Sequence, residues 1–158
     1  MKLSEIVVER AVVPELQATD RDGVIEELVG SLVEAGAASE TDRPVLIERL
    51  LAREQKSSTG FGRGVAVPHA KHASVSGISV AIGVSRGGVD FASLDKQPVY
   101  SVFLLLSPED QPDAHLTAME AIFRHLSKDT FRRALRQTTN VDEIKTLLVE
   151  VDAQNLGG

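Results

Sequence analysis

The chain has 158 residues, 42% of them hydrophobic, and its 17 Lys and Arg against 23 Asp and Glu give a formal net charge of −6. That size predicts one ordinary domain with a sizeable core, and the acidic balance argues against a general nucleic-acid binder, which needs a basic footprint. The absence of cysteine excludes disulfides, thiolate metal sites and cysteine nucleophiles. No signal-type apolar region and no apolar run of membrane-spanning length occurs, so we expect a soluble, cytoplasmic protein without direct membrane insertion.

The N-terminal segment predicts a short helical lead-in and one strand. Residues 3–8 suit the helical turn, and residues 11–16 suit the strand. Because proline cannot donate to a strand ladder, Pro14 favours an edge position for this strand.

Two amphipathic helices follow. Residues 19–22 supply N-cap chemistry for the first, which has apolar residues at helical spacing and Gly36 as a plausible C-cap. The second begins near residues 41–42, carries Pro44 in its first turn, where a missing N–H is harmless, and ends at Arg53.

The middle of the chain predicts the sheet. Residues 78–85 alternate apolar and small or polar side chains, the pattern of a strand with one apolar face. Residues 86–88 suit a turn, after which residues 89–91 are predicted to return as a short partner strand. Residues 99–106 are almost continuously apolar, as expected of a central strand covered on both faces. Helices on both sides of one sheet follow from that.

The C-terminal part predicts three helices. Residues 107–113 form a turn into the first, whose apolar stripe is Leu116, Met119, Ile122, Phe123 and Leu126. His115 lies in its first turn, on the stripe side. Asp129 is a candidate cap for the short second helix, and residues 140–143 give the third an N-cap with a glutamate at the third helical position. We expect residues 1–152 to form a single domain, followed by a frayed tail at 153–158.

The most informative stretch is residues 53–69. It passes from a helix end through a loop rich in glycine and hydroxyl groups into a short apolar strand, which Pro68 is expected to end. His69 is then presented beside polar donors, an arrangement typical of phosphate chemistry. The glycines at 60–64 do not make a nucleotide-binding loop, because they precede a strand and lack a following Lys-Ser or Lys-Thr.

Two of the four histidines are candidates for chemistry. His69 follows the loop, and His115 lies at a helix N-terminus, which attracts phosphate and lowers a histidine pKa. The spacing of His115 is also typical of a core histidine, and Arg53 is equally typical of a cation that favours a helix C-terminus. We expect His72 and His125 to be surface residues, and the sequence gives only weak support for a metal site.

The residues carry a family resemblance. The segment Ser58-Thr59-Gly60-Phe61-Gly62-Arg63-Gly64-Val65-Ala66-Val67-Pro68-His69, preceded by Arg53-Glu54, resembles the active-site segment of the fructose/mannitol-type enzyme IIA of the bacterial phosphoenolpyruvate-dependent phosphotransferase system. Later landmarks occur in the same order at Val89-Asp90-Phe91, Leu94-Asp95-Lys96-Gln97-Pro98-Val99 and Asp113-Ala114-His115-Leu116. The form of the glycine loop is most similar to the nitrogen-regulatory branch. Ala70 departs from the pattern, since a glycine is common after the active histidine.

The resemblance implies a three-layer α/β/α sandwich around a mixed sheet and a phosphoryl relay. His69 would accept phosphate from the carrier protein HPr or its nitrogen-branch counterpart and pass it to an enzyme IIB. The positions of Arg53 and His115 would line that site, and Ser58 and Thr59 would help to bind phosphate. No metal or other cofactor is expected.

Two other functions remain open from the sequence. The first is a purely regulatory module, in which phosphorylation of His69 switches docking to kinases or transporters. The second is a Ser/His hydrolase, which has little support because there is no Gly-x-Ser-x-Gly elbow and no assignable acid partner for His69.

Overall fold

Six helices and six strands make up the part of the chain that the computed structural model describes, residues 1–156. In chain order they are α1 (Leu3–Ile6), β1 (Val7–Val13), α2 (Arg21–Glu34), α3 (Arg43–Lys56), β2 (Gly60–Gly62), β3 (Val65–Ala66), β4 (His69–His72), β5 (Ser79–Val89), β6 (Val99–Pro108), α4 (Pro112–Leu126), α5 (Asp129–Gln137) and α6 (Val141–Leu156). No helix within this range is both long and apolar enough to cross a membrane.

The strands form one mixed sheet in the order β1-β5-β6-β3-β2, with β4 also paired to β6. β6 runs antiparallel to β5 and parallel to both β3 and β4. Its residues are buried except for the half-buried Tyr100, so the prediction of a central strand covered on both faces is confirmed. β1 pairs only with β5 and lies at one edge of the sheet, so the predicted edge position is confirmed. The strand runs from Val7 to Val13 and ends before Pro14, so the predicted bounds of 11–16 were wrong.

Two apolar clusters lie on opposite faces of the sheet. Phe103 and Leu105 of β6 point into the cluster built with α1, α4, α5 and α6. Leu104 and Leu106 point into the cluster built with α2 and α3. The alternation of side chains along a strand therefore produces three layers, and the predicted α/β/α sandwich is confirmed.

β5 differs from its prediction in its length and in the burial of its two faces. It continues through the expected turn to Val89, with a register irregularity after Val84, so no separate strand forms at 89–91. Gly88 adopts a φ of +83° there and donates its N–H to the Ser85 hydroxyl, which bends the strand without ending it. The small and polar residues at 79–85 are buried as well. At Gly83, for example, the Leu16 side chain packs so closely that an added Cβ would lie 2.7 Å from it. The prediction that only one face of this strand is buried was therefore wrong.

The predicted loop before His69 also contains extended structure. β2 and β3 form a hairpin across Arg63 and Gly64, whose φ angles of 61° and 79° suit a tight turn. Pro68 interrupts the extended chain but does not end it, since Leu105 donates its N–H to the Pro68 carbonyl and β4 resumes at the next residue. His69 therefore begins a strand, where the sequence predicted that it would follow the end of one.

The helix ends follow the predicted capping chemistry with one exception. Asp20 accepts the Gly23 N–H at the start of α2, and Asn140 accepts the Glu143 N–H at the start of α6. Asp129 does not cap α5; Lys128 holds the cap position and makes no side-chain capping bond there. α6 runs through Leu156, and residues 157–158 of the expected tail lie outside the described range.

Helix α4 is rotated relative to the predicted stripe. Its buried face consists of His115, Ala118, Ala121, Ile122, His125 and Leu126. Leu116 is 60% exposed, and Met119 and Phe123 are half-buried. Small alanines therefore face the sheet, and three large apolar side chains are left at its margin. His125 is 2% exposed, so its prediction as a surface residue was wrong.

Candidate functional site

His69 is held in a defined orientation by its own backbone. The residue opens β4 directly after Pro68, and its ring is half-buried. Its Nδ1 atom lies 2.9 Å from the carbonyl oxygen of Val67. A carbonyl oxygen can only accept, so Nδ1 carries the proton of the neutral ring and Nε2 carries the lone pair. The ring therefore presents a nucleophilic nitrogen away from the backbone.

His115 lies beside it. The ring centroids of His69 and His115 are 5.6 Å apart, with 53° between the ring planes. His115 is 7% exposed in the first turn of α4, and its Nδ1 lies 2.7 Å from the Ser107 hydroxyl oxygen. Burial and the nearby His69 and Lys71 lower the pKa of His115 to about 4, so its ring is neutral near pH 7. The fold thus unites two histidines that are 46 positions apart in sequence.

The pKa of His69 is also lowered. Burial is the main cause that lowers its pKa below the usual 6.5, and the charges of Arg53 and Lys71 add to that effect. The bond to Val67 and the Glu54 carboxylate oppose it. The net lowering keeps the ring neutral, and hence nucleophilic, at neutral pH.

Cationic side chains surround the histidines in a cleft of about 580 Å³. The cleft is lined by Arg49, Ala52, Arg53, Lys56, His69, Ala70, Lys71, Glu109 and His115. Arg53, in the last turn of α3, donates from Nη1 to the Ser57 carbonyl at 2.7 Å. Arg49, one turn earlier, donates to the Lys71 carbonyl at 2.6 Å. Both guanidinium groups are thereby anchored beside the cleft.

The two predicted hydroxyl ligands are engaged in bonds within the protein. Ser58 donates from Oγ to the Phe91 carbonyl at 2.5 Å and accepts the Gly60 N–H. Thr59 donates from both its hydroxyl and its N–H to the carboxylate of Glu54. Neither residue lines the cationic cleft, although both line the adjoining hollow described below. Their hydroxyl groups shape the loop in this conformation.

A chain of hydrogen bonds joins Glu54 to His69. Glu54 is 3% exposed, and its carboxylate accepts hydrogen bonds from the N–H and the hydroxyl of Thr59. The Thr59 carbonyl accepts the Val67 N–H at 3.2 Å, and the Val67 carbonyl accepts from His69. A buried carboxylate at the end of α3 therefore fixes the peptide that orients the imidazole.

An apolar hollow of about 420 Å³ adjoins the cleft and shares Arg53 and His69 with it. Its other lining residues are Ser58, Thr59, Phe61, Val67, Met119 and Phe123. The rings of Phe61 and Phe123 pack with their centroids 4.6 Å apart. Nonpolar and cationic surface thus meet at His69.

The sequence analysis missed three site residues, and two of them carried a signal in the sequence. Arg49 precedes Arg53 by four positions and so shares its helix face. Lys71 follows His69 by two positions on a strand and so shares its sheet face. Ser107 carried no such signal, because only the register of the sheet, in which it pairs with Lys71, places it near both histidines.

The remaining histidines lie apart from this pair. His72 contacts the Ser74 hydroxyl through Nδ1, and the ring of His125 packs 5.8 Å from that of Phe131. Across the described residues, no group of three or more His, Asp or Glu side chains is placed to hold a metal ion.

Comparison with known proteins places this geometry in a family. The model of the phosphoenolpyruvate-dependent sugar phosphotransferase system EIIA 2 family matches residues 5–151. The fructose-specific EIIABC component of Bacillus subtilis is 35% identical over 96% of this chain, which spans only 24% of that protein. The nitrogen regulatory protein of Bradyrhizobium diazoefficiens is 32% identical, covering 94% of this chain and 95% of that protein.

Solved structures agree with that assignment. The nitrogen regulatory protein IIA-Ntr of Neisseria meningitidis has a TM-score of 0.82 at 30% identity, covering 92% of this chain and 98% of the other. The Escherichia coli mannitol enzyme IIA, solved in complex with its phosphorylated enzyme IIB, shares the fold with a TM-score of 0.74 at 21% identity, covering 89% and 95%. The chain belongs to the EIIA 2 family of the phosphoenolpyruvate-dependent sugar phosphotransferase system.

Proposed function

We propose that this chain is a cytoplasmic phosphoryl carrier that accepts phosphate on Nε2 of His69. The donor is a phosphohistidine of HPr or of its nitrogen-branch counterpart. The observation that carries the proposal is the Val67 carbonyl on Nδ1, because it leaves the lone pair on Nε2, beside a second buried histidine and anchored arginines.

In the transfer step a phosphoryl group moves from the imidazole of the donor histidine to the imidazole of His69. The Nε2 lone pair of His69 forms a bond to phosphorus while the bond between phosphorus and the donor nitrogen breaks, and its electron pair returns to the donor ring. The reaction needs in-line positioning and stabilisation of charge on the equatorial oxygens. The donor bond is already activated, so this step calls on no cofactor.

His115 and Arg53 supply that stabilisation. We assign the Ser107 hydroxyl as the donor to Nδ1 of His115, which lies 2.7 Å away. The proton of the neutral His115 ring is then on Nε2, from which it forms a hydrogen bond to a phosphoryl oxygen. Arg53 contributes a fixed positive charge from the end of α3. Ser58 and Thr59 contribute through the loop conformation, and their direct contact with phosphate requires that they release their present bonds to Phe91 and Glu54.

The test is phosphate labelling of the purified chain with phosphoenolpyruvate, enzyme I and the carrier. We expect one acid-labile, base-stable phosphate per chain, lost in His69→Ala and retained in the matched control His72→Ala. Undiminished labelling of His69→Ala would refute the assignment.

The use made of the phosphoryl group has two candidates. Passing it to an enzyme IIB is supported by the fructose-specific relative and by the fold shared with the mannitol enzyme IIA. A regulatory role, in which phosphorylation of His69 switches docking to kinases or transporters, is supported by the match along 95% of a nitrogen regulatory protein. Pull-downs with wild-type, His69→Ala and phosphorylated chains distinguish them. Binding that is indifferent to phosphorylation rules out the phospho-switch.

A further inference from the structure

The cationic cleft around His69 includes an acidic side chain. Glu109, in the turn between β6 and α4, lines the cleft together with four Lys and Arg residues. Its backbone N–H donates to the His72 carbonyl at 3.3 Å, so the turn is tied to the end of β4. A phosphorylated side chain carries about −1.5 to −2 charges at neutral pH, and a carboxylate in the same cleft repels it. Glu109 therefore disfavours the phosphorylated state unless its charge is compensated.

The compensating charge is Arg49. Its Nη1 atom lies 3.8 Å from a carboxylate oxygen of Glu109 and donates a hydrogen bond to the Lys71 carbonyl at 2.6 Å. The contact with Glu109 is an ion pair without a hydrogen bond, because N–H···O bonds span about 2.7–3.2 Å. The two side chains are 43% and 56% exposed, so the pair contributes little to folding stability. Glu109 thus attracts Arg49 without fixing it.

Arg49 also keeps donors for an anion. A guanidinium carries N–H donors on each of its nitrogen atoms, and both contacts of Arg49 use Nη1. Within residues 1–156, its Nη2 and Nε atoms form no hydrogen bond with another protein group. Paired N–H groups of a guanidinium bind phosphate oxygens in a planar, bidentate geometry. One nitrogen of Arg49 is therefore anchored beside the cleft, and the others can bind phosphate.

His69 is within reach of this arginine. Lys71, whose carbonyl Arg49 contacts, is two positions after His69 on β4, so the two strand residues lie about 6–7 Å apart. Burial lowers the pKa of His69 most, and the charges of Arg53 and Lys71 add to that effect. Arg49, one turn before Arg53 on α3, does not contribute to the shift. In the unphosphorylated chain Arg49 is therefore near His69 but paired with Glu109.

We propose that Arg49 exchanges Glu109 for the phosphoryl group on His69 and becomes a second guanidinium ligand of the phosphorylated state. It acts beside Arg53, which the family resemblance already assigned to the site. Glu109 keeps Arg49 away from His69 in the unphosphorylated chain and, by competing for it, limits how strongly the chain retains phosphate. This inference rests on the proposed function and adds two residues that set the equilibrium of the transfer.

The experiment measures an equilibrium constant, because its value does not depend on how the two proteins dock. One phosphorylated carrier and one free chain give one free carrier and one phosphorylated chain. The HPr-type carrier, labelled with ³²P on its histidine, is mixed with each variant, and the plateau is approached from both directions. The variants are Arg49→Gln, Glu109→Gln and the two combined. Arg10→Gln and Glu120→Gln make the same chemical changes at exposed positions that do not line the cleft.

We expect Arg49→Gln to shift the equilibrium about tenfold toward the phosphorylated carrier, as loss of a charge-assisted hydrogen bond would. Glu109→Gln should shift it about threefold toward the phosphorylated chain, a gain that partial unfolding cannot produce. In the Arg49→Gln background, Glu109→Gln should have almost no effect, because no guanidinium remains for the carboxylate to hold. Both control variants should match wild type.

Two kinds of result would overturn the inference and leave His69 as the acceptor. The first is an equilibrium that either single substitution leaves unchanged, or a loss with Glu109→Gln, since a merely structural ion pair gives no gain when one member is removed. The second is an equal gain from Glu109→Gln in both backgrounds, which would mean that the carboxylate acts by direct repulsion and not through Arg49. Failure of the carrier to label wild-type His69 would overturn the proposed function and this inference together.

Discussion

Replacing Glu54 with alanine should destabilise the protein more than any exposed glutamate replacement on the same helix. The Glu54 carboxylate is 3% exposed and accepts two bonds from Thr59, which is itself 6% exposed. Glu54→Ala leaves both donors of Thr59 buried without an acceptor, at about 1–3 kcal/mol each. We therefore expect a loss of about 3–4 kcal/mol in the free energy of unfolding. For a chain of this length each kcal/mol shifts Tm by about 2–4 °C, so Tm should fall by about 6–16 °C.

Thermal and urea denaturation measure this loss against two matched variants. Glu48→Ala makes the same chemical change at an exposed position of α3, so it should stay within about 0.5 kcal/mol of wild type. Glu54→Gln keeps an oxygen for the Thr59 N–H but removes the charge, so it should fall between the two. Equal stability of Glu54→Ala and Glu48→Ala would refute the argument that this carboxylate holds the loop.

Three further predictions follow from the same structure. His115→Asn should retain the fold yet slow phosphoryl transfer by about 100-fold or more, as loss of one charge-stabilising donor does in other enzymes; an unchanged single-turnover rate would reduce His115 to a core residue. Because the pKa of His115 is about 4 when folded and 6.5 in the free side chain, the unfolded chain binds a proton in this window that the folded chain does not. Stability should therefore fall as pH falls from about 6.5 to about 4, and urea titrations of His115→Asn should show a shallower dependence. Asp152→Ala removes the acceptor of the Leu3 and Ser4 N–H groups and should cost about 2–4 kcal/mol in urea unfolding, whereas the exposed Glu150→Ala should cost almost nothing.

The pattern of apolar residues along the sequence predicted the three layers of the fold well, because its strongest signals come from residues close together in sequence. The continuous apolar run at 99–106 can be buried only by cover on both faces, and the structure places it at the centre of the sheet. The capping residues Asp20 and Asn140 act through bonds to residues three positions away, which the sequence displays directly. The family resemblance predicted that His69 and His115 share one site, which the pattern of apolar residues alone did not predict.

The errors arose where distant contacts override local preference. The glycines after Ser85 suggested a turn, but pairing with β6 carries the strand through them with only a local irregularity. Helix α4 presents alanines to the sheet, so its large apolar residues gave the wrong orientation and His125 was misplaced on the surface. The pairing of His69 with Leu105 likewise depends on a strand 36 positions away, which no local pattern around Pro68 reveals.

The cationic cleft was hidden for a related reason. Arg49 and Arg53 come from α3 and Lys71 comes from β4, so their charges add only after the helix packs on the sheet. Along the sequence, Arg49 and Arg53 each have a glutamate as a direct neighbour, Glu48 and Glu54, and Lys71 is a single cation between two histidines. The net charge of the whole chain therefore gave no indication of the positive charge around His69.

The most direct test of the account is the identity of the phosphorylated nitrogen. Long-range ¹H–¹⁵N correlation spectra of the uniformly ¹⁵N-labelled chain, recorded before and after phosphorylation by the carrier, report the state of both nitrogens of each histidine. We predict that the free protein has the proton of His69 on Nδ1 and that phosphorylation changes Nε2 of His69 alone to a phosphorus-bound nitrogen. Phosphate on Nδ1, or on another histidine, would contradict the role assigned to the Val67 carbonyl and with it the mechanism.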